Sequence, residues 1–210
     1  MEENQVTTTT ENALKQFLST LIDSKKLPVH IKTVEDAFTI AQMGKELGFP
    51  TMQAFHYIIP IQGKLSLSAK ATGALLRKGG VKFYTKEDAV YVYPDGTTDA
   101  IAPRPDGTKP IDRRTTIIFI RDEMEETCSF TWKDAEVQGL TTKDNWKRMP
   151  REMLYARCLA KGANRIGADL LLGLYTAEEM ADTFLKESDI KRNDDGTIAE
   201  VINVTATEVK

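Results

Sequence analysis

Two cysteines, Cys128 and Cys158, and two histidines, His30 and His56, are all that 210 residues offer to thiol or soft-metal chemistry. Two cysteines so placed make neither a disulfide framework nor a metal-ligand spacing, so a reduced, cytosolic protein is expected. Neither histidine sits in a ligand spacing, and each reads as an ordinary surface or half-buried residue. No apolar run approaches the ~20 residues needed to span a bilayer, so no membrane partner is expected. The polar, acidic start Met1-Glu-Glu-Asn-Gln does not read as a signal peptide. No Gly-x-x-x-x-Gly-Lys-Ser/Thr occurs, and Gly79-Gly80 follows a predicted helix, the wrong context for cradling phosphate.

Catalytic candidates are correspondingly few. Asp122, Glu123, Glu125 and Glu126 are the acids a metal-dependent nuclease would use. They crowd one predicted hairpin tip, whereas metal ligands converge from separate elements, so a solvated turn is the plainer reading. Cys158 lies among bases that would lower its pKa, yet a packing role fits a thiol on an apolar-rich helix better. No constellation here makes an active site, no cofactor is implied, and a protein without covalent catalysis is expected.

What is present is an ordinary globular composition, 41% hydrophobic and 28% charged, enough for one domain with a real core. The net charge of −3 is unevenly spread. Glu2, Glu3 and Glu11 give residues 1–11 a charge of −3, and six acids against three bases give 187–210 another −3, so the body, 12–186, carries +3. Segregated charge of this kind tells more about partners than the sum does.

Along the chain, residues 1–10 are Thr-rich and read as a disordered start. Leu14, Phe17, Leu18, Leu21 and Ile22 make the stripe of a helix over 11–26. Thr33 reads as the N-cap of a second helix, to Leu47, which Gly48-Phe-Pro50 stops. Residues 57–67 read as a hairpin turning at Gln62-Gly63, with Pro60 at an edge. Ser68 caps a third helix, 69–78, bearing Lys70, Arg77 and Lys78 with Lys64 just upstream. Strands are expected at 81–85, 89–93, 115–121 and 127–131. Between them lies a long loop holding two Pro-Asp-Gly turns and Arg104, Lys109, Arg113 and Arg114. Ordered loops of that length usually grip a ligand or a neighbour, and disorder is the alternative. A short helix over 133–138, a basic helix from Pro150, and a last helix opened by the capping box Thr176-Ala-Glu-Glu179 and running to Lys186 complete the body. The expected organisation is therefore α+β in a single domain, 11–186. N-terminal helices, central antiparallel hairpins and C-terminal helices follow in order, and a flexible polar tail occupies 187–210.

The basic helix is the most informative segment. At ~100° per residue, Met149, Met153, Ala156, Ala160, Ala163 and Gly167 share one side, and Arg151, Arg157, Lys161 and Arg165 share the other. Arg157, Lys161 and Arg165 are spaced i, i+4, i+8, and like charges so stacked disfavour the helix by a few tenths of a kcal/mol per pair. An external polyanion would remove the repulsion, which makes the column, introduced by the exposed-type aromatic Trp146, a candidate phosphate-binding face. Two readings stand beside each other. Arg and Lys also simply cover surfaces, and Leu154 and Cys158 fall close enough to the column for part of this face to be buried against protein.

Trp146-Lys-Arg-Met-Pro-Arg-Glu-Met-Leu-Tyr-Ala-Arg-Cys, continuing to Gly173-Leu-Tyr-Thr-Ala-Glu-Glu179, resembles the RecT/Redβ superfamily of phage single-strand annealing proteins. The shared run is a Trp, a Pro-basic-x-Met-Leu helix start, an alanine-rich helix with bases, and a Gly-x-Tyr-x-x-Glu-Glu-like close. Upstream, Gly63-Lys-Leu-Ser-Leu-Ser-Ala-Lys and the paired strands before Thr131-Trp-Lys-Asp-Ala-Glu follow the same order, so the likeness covers about 35–185. The resemblance implies an ATP-independent protein that coats single-stranded DNA as a homo-oligomeric ring or helical filament and promotes pairing to a duplex, in the cytoplasm of a bacterial host. It assigns DNA contact to Lys147, Arg148, Arg151, Arg157, Lys161 and Arg165, with Lys64 and Lys70 added by order and Trp146 as a stacking or packing residue. The chain is short for the family, which leaves a phage exonuclease or a host single-strand-binding protein as an open partner. The rivals are a small metal-dependent nuclease built on the acids near Asp122 and a protein–protein adaptor using the Met-bearing face of the basic helix. A strand protector that binds DNA but slows pairing is a nearer alternative.

Overall fold

The computed structural model describes residues 2–184, 190–192 and 198–201. The chain opens with α1 (Glu2–Asp23), α2 (Val34–Glu46) and the short α3 (Thr51–Tyr57). Four of the five stripe residues foreseen for α1 face the core, Leu18 fully buried and Leu14, Leu21 and Ile22 packed on it, whereas Phe17 is exposed at the edge of the stripe. The helix continues N-terminally through the Thr-rich stretch expected to be disordered. Once a turn has nucleated, each further residue adds a backbone hydrogen bond, so poor helix formers are carried along. Thr33 caps α2 with a reciprocal box, its hydroxyl accepting from the Asp36 N–H while Asp36 accepts from the Thr33 N–H. No sequence signal marked α3, whose Ala54 and Phe55 enter the core directly after Pro50.

A two-stranded hairpin follows, β1 (Ile58–Ile61) and β2 (Lys64–Leu67), turning at Gln62 and Gly63, both at positive φ. Pro60 pairs with Leu65 in this ribbon, where both strands are edges and a missing N–H is harmless. Ser68 then caps α4 (Ala69–Lys78) through the Ala71 N–H.

The main sheet is four-stranded and antiparallel, in the order β4 (Thr98–Asp99), β3 (Lys82–Val92), β5 (Asp112–Arg121), β6 (Met124–Thr131). The two strands expected at 81–85 and 89–93 are one long strand. Lys86-Glu-Asp88 is not a turn but a double irregularity in it, and pairing to β5 resumes on either side. The long loop is ordered by its own cation: the Arg104 guanidinium lies 3.7 Å from the Tyr93 ring centroid and bonds Asp95 and Thr97. Arg113 donates to the Ala89 carbonyl and Arg114 to Glu87, so of the four loop bases only Lys109 is fully turned to solvent.

After α5 (Trp132–Val137), α6 (Asp144–Arg148) leads into the basic helix, α7 (Pro150–Ile166), which lies across β6, β5 and β3. Ile117, Phe119, Cys128 and Phe130 alternate toward it, as the strand period requires. The approach is closest at Gly162, where a Cβ would overlap the Phe119 ring. Capped by Thr176 and Glu179 as expected, α8 (Ala177–Phe184) packs on the β1–β2 hairpin; its expected last turn, 185–186, lies outside the described residues. Part of the region read as a tail forms a ribbon, β7 (Ile190–Arg192) and β8 (Ile198–Val201), whose Ile198 joins Ile59, Ile61 and Met180 in a second apolar cluster. The rest of that expected tail lies outside the described residues. Among the described residues no helix is long and apolar enough to cross a membrane.

Candidate functional site

Between α4 and α7, above strand β3, runs an open groove of about 520 Å³. Two helical repeats build its walls. Lys70, Gly73 and Arg77 follow one another at i, i+3 and i+7 on α4, and Arg151, Tyr155 and Leu159 at i, i+4 and i+8 on α7. Phe83 and Thr85 supply the floor. The Arg77 guanidinium lies 4.3 Å from the Phe83 ring centroid, and Phe83 leans on Phe119 with centroids 5.7 Å apart. Burial in this wall raises the Tyr155 pKa above its ordinary value, with the charge of Arg77 opposing. Two acids also reach the groove: Glu152, and Asp88, which binds Arg151. Three cations over two aromatic rings, with room for a ligand between, form a surface suited to an extended polyanion with flat substituents.

Of the bases predicted from sequence, Lys70 and Arg151 meet in this groove although 81 positions apart. The stacked column does not. Arg157, Lys161 and Arg165 lie on the opposite flank of α7, against β6 and α5, beside a hollow of about 430 Å³. Here the chain answers its own charge. Arg165 pairs with Glu126 at 2.5 Å, Lys161 donates to the Ser129 carbonyl at 3.0 Å, and Arg157 donates to Gln138 at 2.8 Å. The Arg165 bond holds the Glu126 carboxyl below its usual range against the pull of burial. Glu126 relieves part of the column's repulsion from within the chain, and Leu154 and Cys158 beside it are buried, as the second reading of this face expected.

Of the two roles open to Trp146, stacking is corrected and packing holds. The residue is 0% exposed, wedged between Phe130 and Trp132 with ring centroids 6.2 and 6.0 Å away, so no base stacks on it. It followed a basic-looking sequence, but α6 turns its ring inward and leaves Lys147 and Arg148 outside. Arg148 pairs loosely with Asp144 at 3.5 Å. Lys147 rims a separate apolar hollow of about 490 Å³ formed with Tyr91, Ile111 and Trp132. Lys64 is exposed at the turn end of β2, outside all three hollows.

Asp122, Glu123 and Glu125 are exposed at the β5–β6 turn, as their crowding suggested, and Glu126 is held by Arg165. Among the described residues no group of three His, Cys, Asp or Glu side chains is placed to hold a metal. Burial pushes the Cys158 thiol up to about 12, overriding nearby bases such as Lys161, and Cys158 donates to the Cys128 carbonyl. The Met-bearing face an adaptor would use is interior: Met153, Ala156, Ala160 and Ala163 are all buried. No family model, curated protein or solved structure matches the chain.

Among the groove residues that the sequence reading did not select are Arg77, Phe83, Asp88 and Tyr155. Arg77 had a visible signal, seven residues after Lys70 on the same helix face, and Tyr155 lies one turn after Arg151. Phe83 and Asp88 had none, because their positions depend on how β3 crosses beneath two helices.

Proposed function

We propose that this protein binds single-stranded DNA and anneals it to its complement without ATP, as an oligomeric ring or filament, in the manner of the RecT/Redβ proteins it resembles. The observation that carries this reading is the α4–α7 groove, where Lys70, Arg77 and Arg151 rim the aromatic pair Phe83 and Tyr155. Cations along such a groove take the phosphates, and the rings take bases without regard to sequence. Annealing asks for no covalent step: many weak phosphate contacts hold a strand extended, and duplex stacking of ~1.4 kcal/mol per base step drives pairing. One groove of this size holds only a few nucleotides, so a long strand requires the groove to be repeated from subunit to subunit by a head-to-tail contact, closing into a ring or continuing as a filament.

The test is binding of dye-labelled oligothymidine, followed by fluorescence anisotropy at two salt concentrations. Lys70→Ala/Arg77→Ala is expected to weaken binding at least tenfold in low salt, and Arg157→Ala/Lys161→Ala by much less, since those two bases are engaged by the chain itself. Loss with the second pair and none with the first would move the strand to the other flank of α7. Salt-independent binding, or none, would remove the DNA reading.

A further inference from the structure

Inside the groove one carboxylate stands where a phosphate would be expected to go. Arg151 turns both Nε, at 2.9 Å, and Nη2 onto a single oxygen of Asp88, and the pair bridges α7 to β3 across 63 positions of sequence. Both side chains are well exposed, 61% for Arg151 and 40% for Asp88, so the contact does little for stability in water.

The carboxylate stands on an irregular stretch of backbone. Along β3, Thr85, Glu87 and Val90 oppose Ile117, Thr116 and Arg114, so β3 gains two residues on its partner over this stretch. The surplus is taken up around Asp88, and Ala89 is left at φ +51, a left-handed conformation that alanine disfavours. The conformation is clamped: the Ala89 N–H donates to Thr115 Oγ1 at 3.0 Å, and Arg113 Nε donates to the Ala89 carbonyl at 2.9 Å. In the same bulge Glu87 is tied to Arg114 and Thr116, so the chain on either side of Asp88 is held. The part-buried Glu87–Arg114–Thr116 cluster and the buried Ala89 account for the bulge itself, but stability does not account for the exposed carboxylate at its tip.

We infer that Asp88 is a built-in competitor for the phosphodiester, holding the Arg151 guanidinium in the groove until an incoming strand displaces its carboxylate. This rests on the proposed DNA reading and adds the element that keeps the grip weak. Without Asp88 a phosphate would meet a cation neutralised only by mobile salt. With it, each strand contact at Arg151 is an exchange of one anion for another. Such an exchange releases no bulk counterion and favours quick release, which an annealing protein needs for strands to slide and test register.

The consequence is measurable in the salt dependence. Asp88→Asn keeps the size of the side chain and removes its charge. It is expected to tighten oligothymidine binding roughly three- to tenfold in low salt, by loss of one facing carboxylate. It is also expected to steepen the slope of log K against log salt by about 0.7, one counterion's worth for single strands. In an Arg151→Ala background the same substitution should change neither quantity, because the site of competition is gone. A general reduction of negative charge would instead tighten both backgrounds alike. Wild-type binding with an unaltered slope in Asp88→Asn, or a gain that persists in Arg151→Ala, overturns the inference and leaves the DNA reading intact. Failure of the wild type to bind DNA at all overturns both.

Discussion

Replacing Trp146 by alanine separates a packing residue from a stacking one. The indole is 0% exposed and sits between Phe130 and Trp132. Its burial removes ~200 Å² of apolar surface from water, worth about 5 kcal/mol at ~25 cal/mol per Å². Large-to-small aromatic substitutions in cores cost about 3–5 kcal/mol by experience. Part of this is offset: the buried Nε1 has no partner among the described residues, and an unmade hydrogen bond costs about 1–3 kcal/mol in the native protein that alanine does not incur. The expected net loss is therefore about 2–4 kcal/mol, a large share of the ~5–15 kcal/mol that holds a domain together. Trp146→Phe keeps a ring, sheds the stranded N–H, and should cost no more than about 1 kcal/mol. Urea unfolding gives both numbers, and oligothymidine anisotropy on folded Trp146→Phe should match wild type within about twofold. A Trp146→Phe protein of wild-type stability whose DNA binding has collapsed would show that the ring stacks on bases and that its burial is wrong.

Other perturbations follow from the same contacts. Gly162→Val places a side chain into the Phe119 ring and should lower stability by about 1–3 kcal/mol, seen as a melting temperature several degrees lower; an unchanged melt would mean that α7 does not lie this close to β5. Arg165→Ala breaks the solvent-screened Glu126 pair, and its expected signature is a melting temperature and a DNA affinity both little changed, by thermal melting and anisotropy together. Asp95 is held down to about 2 by the Thr97 hydroxyl and amide and then by Arg104. Its contribution to ordering the 94–110 loop is therefore present above the ordinary carboxylate value and lost only as pH falls through about 2. In an NMR titration Thr97→Val should move the Asp95 midpoint up toward 3.8, and no movement would show that the hydroxyl is not its main partner.

Local signals in the sequence located most of the elements. The Thr33, Ser68 and Thr176 caps, the Gln62-Gly63 turn and Pro150 at the first turn of α7 all act over a few residues, and the structure uses each one. The failures share a different cause. Whether Lys86-Glu-Asp88 ends a strand or bulges within one depends on β5 pairing with both halves, which is not a property of those three residues. The basic column was visible as a periodicity, but not what it faces: Glu126, Ser129 and Gln138 come from β6 and α5. Trp146 looked exposed because its sequence neighbours are basic, while a five-residue helix turns it into the core. The groove was half legible, through Lys70 and Arg151, and its floor and its carboxylate became evident only when two helices and one strand were brought together.

The most direct test of the central claim is annealing of two complementary, dye-labelled oligonucleotides by the purified protein in the absence of ATP. Pairing should be accelerated by wild type, weakened by added salt, and abolished in Lys70→Ala/Arg77→Ala while Arg165→Ala stays close to wild type. Pairing no faster than in buffer alone, from a protein that nonetheless binds single strands, would make it a strand protector and contradict the annealing account.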